Sequence, residues 1–182
     1  MKRIAIIMLG LALCYIPLVQ AEGGYLGAMV AQVSAEGDDF DIETGNLGIV
    51  VGNVVDNGFG IKGSVGVEAF FLVTAAEDEN SDLDADVSTE GYGILGFYRT
   101  PGDFYVTAKA GWAIVSADID FNGGGSSDDS QTGLAYGLGV GASIGGGDLE
   151  LNYTVLPEID SFDGADVDVE IDTISLSYLW YF

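Results

Sequence analysis

The chain ends Thr173-Ile174-Ser175-Leu176-Ser177-Tyr178-Leu179-Trp180-Tyr181-Phe182. Taken two residues at a time, this stretch sorts itself into faces. Ile174, Leu176, Tyr178, Trp180 and Phe182 fall on one side, and Thr173, Ser175, Ser177 and Tyr181 on the other, with Leu179 among them. Successive side chains of a strand point to opposite faces, so a period of two with a wholly apolar side spells a β-strand with one face out of water.

Working back from this end, the same pattern recurs. Leu149, Leu151, Tyr153 and Val155 oppose Glu150, Asn152 and Thr154. Phe104, Val106, Ala108, Ala110, Trp112 and Ile114 oppose Tyr105, Thr107 and Lys109. Leu134, Tyr136, Leu138, Val140 and Ile144 oppose mostly glycine, and Val65, Val67 and Phe71 oppose Lys62, Ser64 and Glu68. With the glycine-rich stretches 25–33, 47–55 and 91–98, which carry no secure phase, this makes eight strands. Beyond the first residues, no segment has helical periodicity.

The connections alternate as well. Tight-turn signals stand at Asp56-Asn57-Gly58, Thr100-Pro101-Gly102-Asp103 and Gly145-Gly146-Gly147. Between them, 35–45, 74–88, 119–131 and 157–167 are long and polar. Short turns at one end and long connections at the other are the layout of an outer-membrane barrel, with periplasmic turns and external loops. The fold expected is an all-β, eight-stranded, antiparallel, up-and-down transmembrane barrel.

The first residues are set apart from this. Lys2 and Arg3 precede an apolar run from Ile4 to Val19, and Val19-Gln20-Ala21 fits a small-residue cleavage site. Residues 1–21 are therefore expected to be a cleaved signal peptide, and 22–182 the barrel domain. A retained helix is disfavoured because the run falls short of the roughly 20 residues a span needs. A lipoprotein at Cys14 is disfavoured because Leu13 stands where a small residue belongs. Cys14, the chain's one cysteine, leaves with the leader.

The chain beyond the leader holds three basic residues, Lys62, Arg99 and Lys109, against 29 acidic ones. Such acidity excludes nucleic acid as a partner. Disorder is excluded as well, since 48% of residues are hydrophobic. The acids must then be segregated from the apolar faces, and they are. Glu36, Asp38, Asp39, Asp41 and Glu43 crowd the first long connection. Glu77, Asp78, Glu79, Asp82, Asp84 and Asp86 crowd the second. Asp128 and Asp129 lie in the third; Glu158, Asp160, Asp163 and Asp166 in the fourth run on into Asp168, Glu170 and Asp172, a ladder of carboxylates sharing one strand face. Oxygen-rich clusters suit Ca²⁺ or Mg²⁺. Asp78-Glu79-Asn80-Ser81-Asp82 resembles the start of an EF-hand loop, but Leu83 replaces its glycine and Thr89 its bidentate acid. Divalent cations bridging these loops to lipopolysaccharide phosphates is the sharper expectation, and a solvated acidic face the plainer one. No resident cofactor or metal is expected.

Periodicity alone does not tell inside from outside. The polar faces carry few charges, and the apolar faces are continuous and rich in large aromatics. That puts the apolar side in lipid, with Phe104, Trp112, Tyr178 and Trp180 as belt residues. Lys62, Glu68, Lys109 and Glu150 then fall on the lumen phase, where a charge is costly unless paired. A lumen charge network of these four is expected, with Arg99 in reach from the periplasmic end. It acts either as a structural plug or as a gated ion path. The inward glycines Gly133, Gly137, Gly139 and Gly141 either make room for Tyr105 and Phe70 or leave a wet cavity.

The ending Tyr178-Leu179-Trp180-Tyr181-Phe182 resembles the C-terminal signal that outer-membrane barrels present to the barrel assembly machinery. That signal is a final Phe with apolar residues at alternate positions, here Tyr178 and Trp180. Tyr105 to Trp112, Tyr136 to Gly141 and Leu149 to Tyr153 resemble strands of small OmpA-like eight-stranded barrels. The resemblance implies the Gram-negative cell outer membrane, lipid and lipopolysaccharide as surroundings, assembly machinery as a transient partner, and a monomer. Full-length OmpA continues into a peptidoglycan-binding domain, so a tether to the cell wall is not expected. Enzymes among such barrels resemble one another in using a catalytic histidine, and this chain has none. Enzymatic activity is therefore not expected. A structural or surface-interaction protein with a plugged lumen is the reading. A narrow ion channel and a soluble periplasmic ligand-binding barrel are the alternatives.

Overall fold

A computed structural model describes residues 23–37, 40–55, 62–76, 78–80, 85–121, 126–162 and 165–182. The leader, Cys14 and the Asn57-Gly58 turn lie outside these. Ten strands run in order: β1 (Gly24–Gly37), β2 (Phe40–Val55), β3 (Ser64–Ala76), β4 (Asp78–Asn80), β5 (Ala85–Arg99), β6 (Phe104–Phe121), β7 (Ser126–Ile144), β8 (Gly147–Val155), β9 (Ile159–Phe162) and β10 (Ala165–Tyr181). β4 continues the β3 side of β5, and β9 pairs only with the start of β10. The remaining eight form one antiparallel meander that closes where β1 pairs with β10. This is the eight-stranded up-and-down barrel expected from the alternation.

The register fixes its shape. Across successive ladders, Gly24 leads to Asn53, Val67, Gly96, Ala110, Tyr136, Val155 and Asp172, and returns to β1 at Ser34, a stagger of ten residues. With ~3.3 Å per residue and ~4.8 Å between strands, that stagger tilts the strands by roughly 40°. Closure leaves no sheet edge across the apolar band, so the backbone is satisfied in lipid.

The faces agree with the sequence. Leu26, Val30, Ile94, Val106, Leu138 and Ile174 are exposed on the outside, as are Phe104, Trp112 and Trp180. Tyr25, Val33, Glu68, Tyr105, Lys109 and Glu150 are buried within. Inward glycines make room for the large inward rings. A Cβ at Gly52 would overlap Tyr25, one at Gly141 would overlap Tyr105, and one at Gly93 would meet Phe70 at 2.7 Å.

The strands differ from expectation in length. The long polar connections are largely strand: β2 begins at Phe40, β6 runs to Phe121 and β7 starts at Ser126. The reason is that the acids alternate with residues that turn inward. Ile42 and Thr44 are buried on either side of exposed Glu43, as are Val169 and Ile171 around Glu170. Acidity reads as loop, but with period two it is the wet outer face of a strand that has risen above the membrane.

Candidate functional site in the barrel lumen

Three strands bring the charges together because each presents its charged residue on the inward phase. Lys109 of β6 places Nζ 2.8 Å from Glu68 Oε1 on β3 and 2.7 Å from Glu150 Oε1 on β8. Arg99, the last residue of β5, donates from Nη2 to Glu150 Oε2 at 3.1 Å and from Nη1 to Asp148 Oδ2 at 2.8 Å. Glu150 is 1% exposed and Arg99 11%, so the chain of charges runs from the interior to the periplasmic mouth.

Hydroxyl groups complete it. Tyr25 donates to Glu68 Oε2 at 2.7 Å. Asp148 Oδ2 accepts from Tyr181 at 2.7 Å and from Tyr105 at 3.2 Å, and Ser143 donates to Oδ1 at 2.8 Å. Arg99 also donates to the Tyr181 hydroxyl, and its guanidinium lies 4.1 Å from the centre of the Tyr105 ring. Every carboxylate oxygen of Glu68, Asp148 and Glu150 thus accepts a hydrogen bond. The network reaches residues of β1, β3, β5, β6, β7, β8 and β10, and so crosses the bore from wall to wall. Buried charges in so narrow a space persist only when paired and bonded in this way.

Outward of the network the lumen changes character. Val33, Leu95, Ala113, Val115, Ala135, Leu156, Ile159, Val169 and Ile171 form one buried apolar cluster, with Phe70 packed against it. Beside it Thr44, Asn46, Thr74 and Thr89 bond to one another, with the Thr44 and Thr89 hydroxyls 2.7 Å apart. Between the network and the cluster lies a cavity of about 40 Å³, lined in part by Lys109, Glu150, Phe70 and Thr173. That is room for a water molecule or two, which the unpartnered Thr173 hydroxyl suits.

Of the four lumen charges read from the sequence, the structure joins Glu68, Lys109 and Glu150 and leaves Lys62 out. Lys62 is exposed at the short-turn end. Gly63 beside it takes φ +126°, a bend that ends the strand alternation before Ser64, so the in-phase position of Lys62 no longer points inward. Its carbonyl instead accepts from Tyr98 at 2.6 Å. Arg99 takes its place. Asp148 is hidden from a reading of the sequence because it comes directly after Gly145-Gly146-Gly147 and looks like part of the turn. Its signal is the spacing of two from Glu150, since β8 already begins at Gly147.

Phe182 closes the seam. Its N–H donates to the Gly24 carbonyl at 3.0 Å, and its ring lies against Gly24. Tyr178 and Trp180 stack edge to face at 4.8 Å on the lipid side. On the acidic rim, Glu36 stands opposite Glu170, and Asp172 accepts from Tyr153 at 3.0 Å. The side chains of Asp78 to Asp82 lie outside the described residues.

Comparison with known proteins agrees with this geometry. The most similar solved structures include Neisserial surface protein A, with TM-score 0.62, 17% identity, and 88% of this chain and 97% of that one covered. Another is the attachment invasion locus protein Ail of Yersinia pestis, with TM-score 0.55, 21% identity, and 87% and 99% covered. OprG of Pseudomonas aeruginosa has TM-score 0.50, 14% identity, and 90% and 98% covered. No curated protein matches the chain. The family model described as "outer membrane protein beta-barrel domain" matches residues 5–182. The chain therefore belongs to that family and is a β-barrel of the Gram-negative outer membrane.

Proposed function

We propose that the protein is a non-enzymatic structural and surface-interaction component of the outer membrane, closed along its axis, which meets the outside through an acidic rim. One observation carries this reading: the ion network crosses the bore, and an apolar cluster is stacked outward of it. An ion travelling along the axis would have to break the pairs and then pass a layer filled by aliphatic side chains and by neutral hydroxyl and amide groups already bonded to one another, which low dielectric makes costly. Reconstituted into planar bilayers, the protein is expected to give only baseline conductance. A steady ohmic conductance would replace this reading with that of a narrow channel.

The rim supports a further part of the proposal. Glu36 and Glu170, both exposed, face each other across the β1–β10 ladder, where like charges repel. Divalent cations relieve that repulsion and bridge the rim to lipopolysaccharide phosphates. Ail has been crystallised with sucrose octasulfate, a heparin analogue; the rim here would repel such a polyanion. Thermal melts of the vesicle-embedded protein should shift upward with calcium and fall back with chelator. Identical melts in the two conditions would remove the bridging role. The barrel pairs its own first and last strands and acts as a monomer.

A further inference from the structure

The charges paired inside the bore do not balance. Glu68, Asp148 and Glu150 bring three negative charges, and Arg99 and Lys109 bring two positive ones. Lys62, the one other base beyond the leader, is exposed at the short-turn end. The excess has a place. Arg99 also reaches Glu150, but its charge is matched by Asp148 at 2.8 Å near the mouth. The unmatched negative charge therefore lies with Lys109 and the two glutamates that share it. Held out of water, such a charge is costly.

The cavity of about 40 Å³ borders all three members of that trio, and its walls differ in kind. Met29, Phe70, Leu72 and Leu95, from β1, β3 and β5, make one side apolar. β8 and β10 make the other side polar, because three inward positions of each strand pair in succession. Glu150 stands opposite Ser177, Asn152 opposite Ser175, and Thr154 opposite Thr173, and all six line the cavity. Thr173 is 3% exposed, and its hydroxyl has no hydrogen-bond partner among the described residues.

We propose that this polar wall binds one monovalent cation of the size of Na⁺ or K⁺, between the glutamates and the Thr173 hydroxyl. Two observations select this occupant: a local excess of one negative charge, and a buried hydroxyl oxygen free to act as a ligand. A water molecule alone would satisfy the hydroxyl and leave the charge. A proton on a carboxylate would cancel the charge and leave the hydroxyl. A divalent cation would exchange an excess of one negative charge for an excess of one positive. A monovalent cation meets both needs, and carboxylate, amide and hydroxyl oxygens are the ligands that hard cations take. The space admits the ion with a water molecule beside it.

The test is urea unfolding of the full barrel from vesicles, at one pH and one ionic strength, in the chloride of Na⁺, K⁺ or N-methylglucamine. The last is too large for the cavity, while general screening of the acidic rim is the same in all three. Na⁺ or K⁺ is expected to raise the unfolding midpoint over N-methylglucamine, and to do so saturably as its share of the salt rises. Thr173→Val keeps the shape and removes the hydroxyl, and should raise the half-saturating concentration at least tenfold. Equal midpoints in the three salts would overturn the site and leave the cavity to water or a proton. An ion effect that Thr173→Val leaves untouched would also overturn it, since that effect then belongs to the rim. Folding is read from heat-modifiable gel mobility. If Thr173→Val does not fold, Thr173→Ser and Thr173→Ala serve instead: the serine variant should keep the ion response and the alanine variant lose it, and the same response in both would count against the site.

Discussion

The inner and outer halves of the lumen solve the same filling problem with opposite chemistry. The inner half holds Glu68, Arg99, Lys109, Asp148 and Glu150, with three tyrosine hydroxyls among them. The outer half holds aliphatic side chains and a neutral cluster of threonines and Asn46. A packed apolar layer derives its stability from burial and gives way gradually as atoms are removed. An ionic layer derives little net stability from its pairs but is unforgiving when one partner is lost. The two halves should therefore respond differently to substitution, even at similar burial.

The largest effect is expected from Lys109→Met. It leaves Glu68 and Glu150 facing each other without their shared cation and should cost about 3–5 kcal/mol in urea unfolding from vesicles. Replacing the set together, Glu68→Gln with Lys109→Met and Glu150→Gln, should recover most of that loss, because no buried charge of the trio is then uncompensated. If the triple variant is as unstable as Lys109→Met alone, the inner half is held by packing and not by charge balance, and the contrast between the halves fails.

Next comes Tyr25→Phe, which removes a buried hydroxyl donating to Glu68 while the ring remains. A hydrogen bond to a charged group sets the expected cost at about 1.5–3 kcal/mol. In the outer half, Ile171→Val removes one methylene from the apolar cluster and should cost about 0.5–1.5 kcal/mol in the same unfolding measurement. A loss at Ile171 larger than that at Tyr25 would reverse the proposed ranking of the two halves.

These two halves are not equally legible in the sequence. The barrel itself is, because period two persists through β6, β8 and β10 and the tight turns punctuate it. Glu68, Lys109 and Glu150 lie mid-strand, where alternation fixes the side, and they are readable for that reason. Lys62 is misplaced by the same alternation because Gly63 breaks it through a backbone angle, which no count of residues reveals. Arg99 and Asp148 sit at strand ends beside turns, where phase is weakest. The outer apolar cluster is hardest to read. Leu156 and Ile159 reach it from a segment that looks like loop, and Val169 from among acids whose alternation looks like polarity alone.

The smallest effect sharpens the comparison most. Tyr153 donates to Asp172 at 3.0 Å, the same pair of groups as Tyr25 and Glu68, but on the outer surface at the foot of the acidic rim. Tyr153→Phe keeps the ring on the lipid side and removes only the hydroxyl. Water can take its place at Asp172, so the change should stay within about 0.5 kcal/mol. Measured beside Tyr25→Phe, it isolates burial as the variable, since donor and acceptor types are the same in both. Equal losses at the two sites would mean that the rim is as dry as the lumen, and the acidic face could not then be the solvated surface on which divalent bridging depends.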